Sequence, residues 1–136
     1  MAVLRGLRNL HPEHHLLLLG VPQESALNEG ILRRAAIANA HNVVHELSIR
    51  RLLGLCELAT GLISVDTGPA HVAAAVGCTV VTLFGTTEPF MYAPRGRNAV
   101  VICLTAQRDG VRSMRYIEPT EVLAAWQHAI EQRPTH

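Results

Sequence analysis

At 136 residues, 49% hydrophobic and 17% charged, the chain has the composition of an apolar globular domain, and its length predicts one core rather than a disordered segment. Twelve arginines against eleven acids leave a net charge of +1, a field too weak to suggest nucleic acid as a partner. Cys56, Cys78 and Cys103 are odd in number with no CxxC pair, so they read as buried thiols in a reducing, cytoplasmic setting; the early leucine run 16–19 is too short for a signal segment or a membrane span.

Val3, Leu4, Leu7 and Leu10 fall at helical spacing and are stopped by His11-Pro12, which predicts a short opening helix. Leucines 16–19 end at Gly20-Val21-Pro22, a buried strand and turn. Leu27, Ile31, Leu32, Ala35, Ala36 and Ala38 outline a second helix, with Ser25 or Asn28 as its cap. Within residues 42–47, Val43-Val44 reads as a short strand. Ser48 is placed to cap a third helix through Ile49, Leu52, Leu53, Leu55, Cys56 and Leu58, closed by Thr60-Gly61. Then come a strand at 62–65, a helix from about 69 to 76, a stop at Gly77 and a strand at 79–84. Residues 85–98, with two prolines and two glycines, have the composition of an exposed loop. A strand at 100–104 and a last helix from Pro119, with Val122, Leu123, Trp126 and Ile130 on one face, complete the chain. This alternation argues for an α/β fold: a Rossmann-like, doubly wound parallel sheet with helices on both faces. Such sheets bind ligands at the carboxyl ends of their strands.

One of those ends is chemically distinctive. Apolar residues 62–65 deliver Asp66, Thr67, Gly68 and Pro69 to the junction between a strand and a helix. Gly68 suits a turn that a side chain would obstruct, and Pro69 suits a first helical position, where no N–H is needed. With Ala70, Ala73, Ala74 and Ala75 the helix is thin, so it can lie close to the sheet and aim its terminal amides at a phosphate or pyrophosphate. Asp66 would repel that anion, so it reads either as an N-cap or as a contact to sugar hydroxyls or a cation. Thr67 fits either task. His71, one turn in, reads as a phosphate donor or proton carrier, or else as a packed histidine.

Other candidates are weaker. The turn from Phe84 to Pro89 is a second strand end carrying Thr86, Thr87 and Glu88. Glu24 could bind ribose hydroxyls, although acids also favour helix starts on their own account. Arg95 and Arg97 could clamp phosphate or simply be solvated. His14-His15 and His41 with His45 suggest a metal at first sight, but no third ligand has suitable spacing, so neither a metal site nor a cofactor is expected. Trp126 reads as core.

The run LISVDTGPAHVAAAVGCTVVTLFGTTEP resembles the C-terminal half of glycosyltransferase family 9, the ADP-heptose:lipopolysaccharide heptosyltransferases. It has that family's D-T-G-x-x-H element, small-residue helix, apolar strand and F-G-x-T-x-P turn, in order. The likeness extends through VVHELSIRRLLGLCELATG and SMRYIEPTEVLAA. The resemblance implies two Rossmann-like domains in a B-type glycosyltransferase, the C-terminal one holding a nucleotide-sugar donor. Asp66 would then contact the donor heptose, and Thr67 and Gly68 would offer N–H groups to the diphosphate. Pro69, Ala70 and His71 would complete that site, with Thr86 on the neighbouring turn. Glu24 would be the ribose-binding acid and Ser48 would lie near the adenosine. The implied chemistry is inverting transfer of heptose from ADP-heptose to the inner core of lipid A.

Two departures shape the expectation. Ser113-Met114 stands where the family often has Cys-Met, and Met1 falls after the family's acceptor-binding domain, catalytic aspartate, first strand and phosphate-contacting lysine. The chain therefore reads as a nucleotide-sugar-binding domain over 1–136, lacking its first strand and the acceptor domain. No catalytic residue is assigned, and the chain is expected to be inactive alone because general-base help is lost. The lipid A-core acceptor would be met through the missing domain, at a cytoplasmic site or at the inner face of the membrane. The open sheet edge would admit a homo-oligomer. The alternatives are a non-catalytic nucleotide-binding or assembly module and part of a nucleotide-sugar epimerase-like enzyme.

Overall fold

The computed structural model describes residues 1–134. The chain divides into two compact units, Met1–Ser48 and a second beginning at Ile49, where length alone anticipates one core.

In the first unit, helix α1 (Ala2–Leu10) ends where the His11 N–H donates to the Leu7 carbonyl at 2.8 Å. Arg8 closes the following turn by donating to the Pro12 carbonyl at 2.6 Å. Strands β1 (Leu16–Leu18) and β2 (Ala40–Asn42) pair in parallel, Leu16 opposite Ala40, and are joined by helix α2 (Ser25–Ala35). The helix stops earlier than Ala38 because Ala36 turns left-handed, at φ 50°. The second strand also lies earlier than Val43-Val44: Val44 belongs to a 3-10 turn, Val44–Glu46, yet remains buried. Asn42 is the reason. Its carboxamide oxygen accepts the Val44 N–H at 3.3 Å, bending the chain out of the strand. Its nitrogen donates to the Ser25 hydroxyl at 3.0 Å and to Glu29 at 3.0 Å. Asn28, read as a cap from the sequence, is instead buried and donates to the Leu19 carbonyl at 3.2 Å. These bonds tie α2 to the carboxyl ends of both strands, since buried amides must find partners.

The second unit opens with α3 (Ile49–Leu58) and contains a parallel sheet of β3 (Leu62–Val65), β4 (Val80–Leu83) and β5 (Val101–Leu104), in that order. Helix α4 (Gly68–Ala75) connects β3 to β4. A one-turn helix α5 (Pro89–Tyr92) interrupts the expected loop and leaves Phe90 exposed. A hairpin of β6 (Gln107–Arg108) and β7 (Val111–Arg112) follows, unforeseen in the sequence, then helix α6 (Pro119–Glu131). The parallel sheet expected as one is thus found as two ladders, one in each unit.

Val80, Val81 and Thr82 are all fully buried. Successive strand residues face opposite ways, so both faces of β4 must be covered. Cys56 of α3 and Ala70, Ala73 and Ala74 of α4 pack with Val80 on one side, while α6 also packs on β4 and β5. The buried stripe of α6 is Val122, Ala125, Trp126 and Ala129; Leu123 and Ile130, expected on it, are only half-buried. Trp126 fills the space beside Gly61, where a Cβ would stand 2.8 Å from the indole.

Burial raises the thiols of Cys56 and Cys103, and pushes Cys78 from 9.0 to about 11, with the Cys56 thiolate adding to it. Because the folded value exceeds the unfolded one, Cys78 contributes stability that is complete below pH 9.0 and lost as pH rises toward 11. The expected loss over that window is at most about 2 kcal/mol. Urea unfolding of wild type and Cys78→Ala at successive pH values should show a shallower alkaline decline in the variant. Equal slopes would mean that this thiol is not the cause.

Candidate functional site

The corner lies wholly in the second unit. β3 ends at Val65, and the Thr67 hydroxyl turns back to donate to the Val65 carbonyl at 3.3 Å, beside the Ser64 hydroxyl, also at 3.3 Å. Thr67 therefore occupies the N-cap position of α4 without capping it. Pro69 brings no N–H, and Ala70 donates to the Thr67 carbonyl at 3.1 Å. The Thr67 and Gly68 amides have no hydrogen bond among the described residues. Two free N–H groups at the positive end of a helix are suited to an anion.

Gly68 differs from its expected role. Its φ is not left-handed, and a Cβ built there would meet nothing within 4 Å. The fold does not need a glycine here, and its absent side chain leaves open space in front of those amides. Ala70 differs as well, being fully buried against the core with its N–H engaged. Its part is packing.

Asp66 is not the N-cap. Its carboxylate accepts from the Thr87 hydroxyl at 3.0 Å and lies 3.7 Å from His71 Nε2, with the aspartate side chain 19% exposed and the histidine 50%. A hydroxyl thus holds a largely buried carboxylate beside an uncapped helix end, with an imidazole nearby, leaving oxygen lone pairs for hydroxyl donors. Cys103 is close enough that the Asp66 charge adds to burial in raising its thiol, which disfavours the thiolate there. The turn after β4 is braced by Arg112, which donates to the Thr87 carbonyl at 3.4 Å and pairs with Glu88.

The structure brings Asp66, Thr67, Gly68, Pro69 and His71 together, with Thr86 exposed next to Thr87. Glu24 and Ser48 belong to the first unit. Glu24 accepts the Val21 N–H at 2.9 Å, a turn-closing role, and Ser48 directly precedes α3. Arg95 is spent on the Phe90 carbonyl at 3.2 Å. Thr87 was visible in the sequence only as one hydroxyl of the FGTTEP turn. Arg112 carried no signal, because 24 residues separate it from Glu88.

Among the histidines, the third ligand that spacing did not show exists: His11, Glu13 and His14 offer ligand atoms within 4.8 Å of one another. The His11 and His14 rings are stacked, 4.7 Å apart and 20° from parallel. A metal lies in the plane of each imidazole that binds it, so stacked rings do not converge on one ion. His15 Nδ1 meets His41 Nε2 at 3.0 Å, as one hydrogen-bonded pair.

A parallel α/β arrangement with a ligand-ready corner at a strand's carboxyl end defines a Rossmann-like protein. Residues 7–120 match glycosyltransferase family 9 (heptosyltransferase), and the chain belongs to that family. Among solved structures it is similar to an E. coli ADP-heptose LPS heptosyltransferase II, at 21% identity and TM-score 0.78, covering 96% of this chain and 40% of that one. It is similar also to a glycosyl transferase family 9 protein from Veillonella parvula, at 18% identity and TM-score 0.76, covering 96% and 39%. The E. coli heptosyltransferase WaaC with ADP matches at 21% identity and TM-score 0.72, covering 92% and 38%. The chain thus spans about 40% of the length of the first of these, and the likeness establishes a shared fold. No curated protein matches. Among the described residues, no helix is long and apolar enough to cross a membrane.

Proposed function

We propose that the second unit binds the nucleotide-sugar donor of a heptosyl transfer, with ADP-heptose as that donor. The observation that carries this is the pair of unbonded amides at Thr67 and Gly68, opening onto empty space beside the Asp66 carboxylate. The diphosphate sits against the amides and the helix end. Asp66, held by Thr87 and near His71, accepts from sugar hydroxyls and so orients the anomeric carbon. His71, half exposed and one turn into the helix, is placed to donate a hydrogen bond to a diphosphate oxygen. The likeness to an ADP-heptose LPS heptosyltransferase and to a heptosyltransferase solved with ADP supports the choice of donor. Transfer to a lipopolysaccharide core acceptor is proposed for the whole enzyme. Its base must approach the acceptor hydroxyl from the side opposite the leaving diphosphate, and Asp66 is assigned to the donor.

Titration calorimetry with ADP and ADP-heptose tests this directly. Asp66→Ala removes a charged acceptor of hydroxyl bonds and should weaken ADP-heptose by about 10- to 100-fold while changing ADP much less. A folded chain that binds neither ligand would sink the donor reading. A preference for UDP over ADP would point to a different nucleotide sugar.

A further inference from the structure

The hairpin 107–112 has no place in the parallel sheet, yet it reaches the site. It is anchored at its base, where the Ser113 N–H donates to the Ala106 carbonyl at 3.1 Å and the Arg108 guanidinium lies 4.8 Å from the Tyr116 ring centroid. From that base Arg112 makes both contacts with the turn after β4, to the Thr87 carbonyl and to Glu88. Met114, just beyond, approaches the same turn at Gly85, its Cγ 3.7 Å from where a Cβ would stand. Thr87 in turn donates to Asp66.

We propose that this hairpin is a clamp on the donor-site turn, with Arg112 a positioning residue that holds the Thr87 hydroxyl against Asp66. The proposal rests on the donor reading for its consequence but not for its mechanics. An exposed ion pair contributes only ~0–1 kcal/mol to folding, so stability alone gives little account of Arg112. Its side chain is 29% exposed, and one of its acceptors is the backbone of the residue that orients Asp66. Without it, Thr87 has rotational and backbone freedom that ligand binding must then remove.

Two measurements separate the clamp from the donor reading. Without ligand, ¹⁵N relaxation of residues 85–88 should show an ordered turn in wild type, fast motion in Arg112→Ala, and most of the order kept in Arg112→Lys, which retains a charged donor for the Thr87 carbonyl and Glu88. With ADP-heptose, Arg112→Ala and Thr87→Val should each weaken binding about tenfold. The double variant should lose little more than either single one, because both act through the same hydroxyl. Unchanged turn order in Arg112→Ala overturns the clamp. Additive losses overturn the route through Thr87. If wild type binds no ADP-heptose, the donor reading fails, and the relaxation arm still decides whether the clamp exists.

Discussion

Gly96→Ala should lower the melting temperature by about 10–20 °C, the largest stability effect expected of any single methyl added to this chain. A Cβ at Gly96 would stand 1.6 Å from the carbonyl oxygen of Ala74 and 2.4 Å from its carbon. Both are backbone atoms near the end of a helix whose inner face is fully buried, so no side chain can swing aside. The Ala74 oxygen is also held by the Gly77 N–H at 3.0 Å, the bond that ends α4. Relief therefore requires the segment before β5 to lift off α4, and overpacking of this kind costs upwards of about 3 kcal/mol where the backbone must move. Thermal unfolding followed by circular dichroism reads the effect. A variant melting within a few degrees of wild type would mean that the close approach is not part of the folded state.

That glycine also marks where sequence reading stops. Residues 85–98 have the composition of a loop, and most of them are exposed, but composition cannot reveal that one glycine lies against a carbonyl more than twenty residues earlier. The strands were legible where the run is apolar and bounded by turn residues, as at 62–65 and 79–84, and at 79–84 burial on both faces also fixes the residue types. The strand at Ala40–Asn42 was misplaced for the opposite reason. Its residues are mixed, its position follows from pairing with β1, and Val43-Val44 drew the assignment toward a buried turn. The hairpin at 107–112 has too few apolar residues to show a period.

The site divides along the same line. The grouping of Asp66, Thr67, Gly68 and His71 at one corner was legible because one short stretch holds them all and the strand-turn-helix pattern gives each a place. Their partners were not, since Thr87 reaches Asp66 across 21 residues and Arg112 reaches Thr87 across 25. The choice between a cap and a ligand contact for Asp66 needed those distances. Once the carboxylate is seen to take the Thr87 hydroxyl, with Thr67 at the N-cap position, capping is no longer its task. The helix end is left for something else.

Gly68→Leu is the variant that turns this conclusion into a measurement, because fold and ligand make opposite demands at that position. Nothing lies within 4 Å of a Cβ there, and the backbone is not left-handed, so the fold accepts a side chain. At a helix start, leucine for glycine should leave stability unchanged or raise it by a few tenths up to about 1 kcal/mol. A diphosphate seated on the Thr67 and Gly68 amides would have to share its space with four added carbons. ADP affinity should then fall by at least about 100-fold, more than the loss of one charged hydrogen bond, because the anion is displaced from both amides together. Gly68→Ala should fall between wild type and leucine, and the size of its loss reports how closely the phosphate approaches the backbone. Thermal melts and ADP calorimetry on the two variants give both quantities. Normal melting with unchanged ADP affinity would place the nucleotide elsewhere and leave the open space before α4 without a ligand. A parallel loss of stability and affinity would mean that Gly68 serves the fold after all.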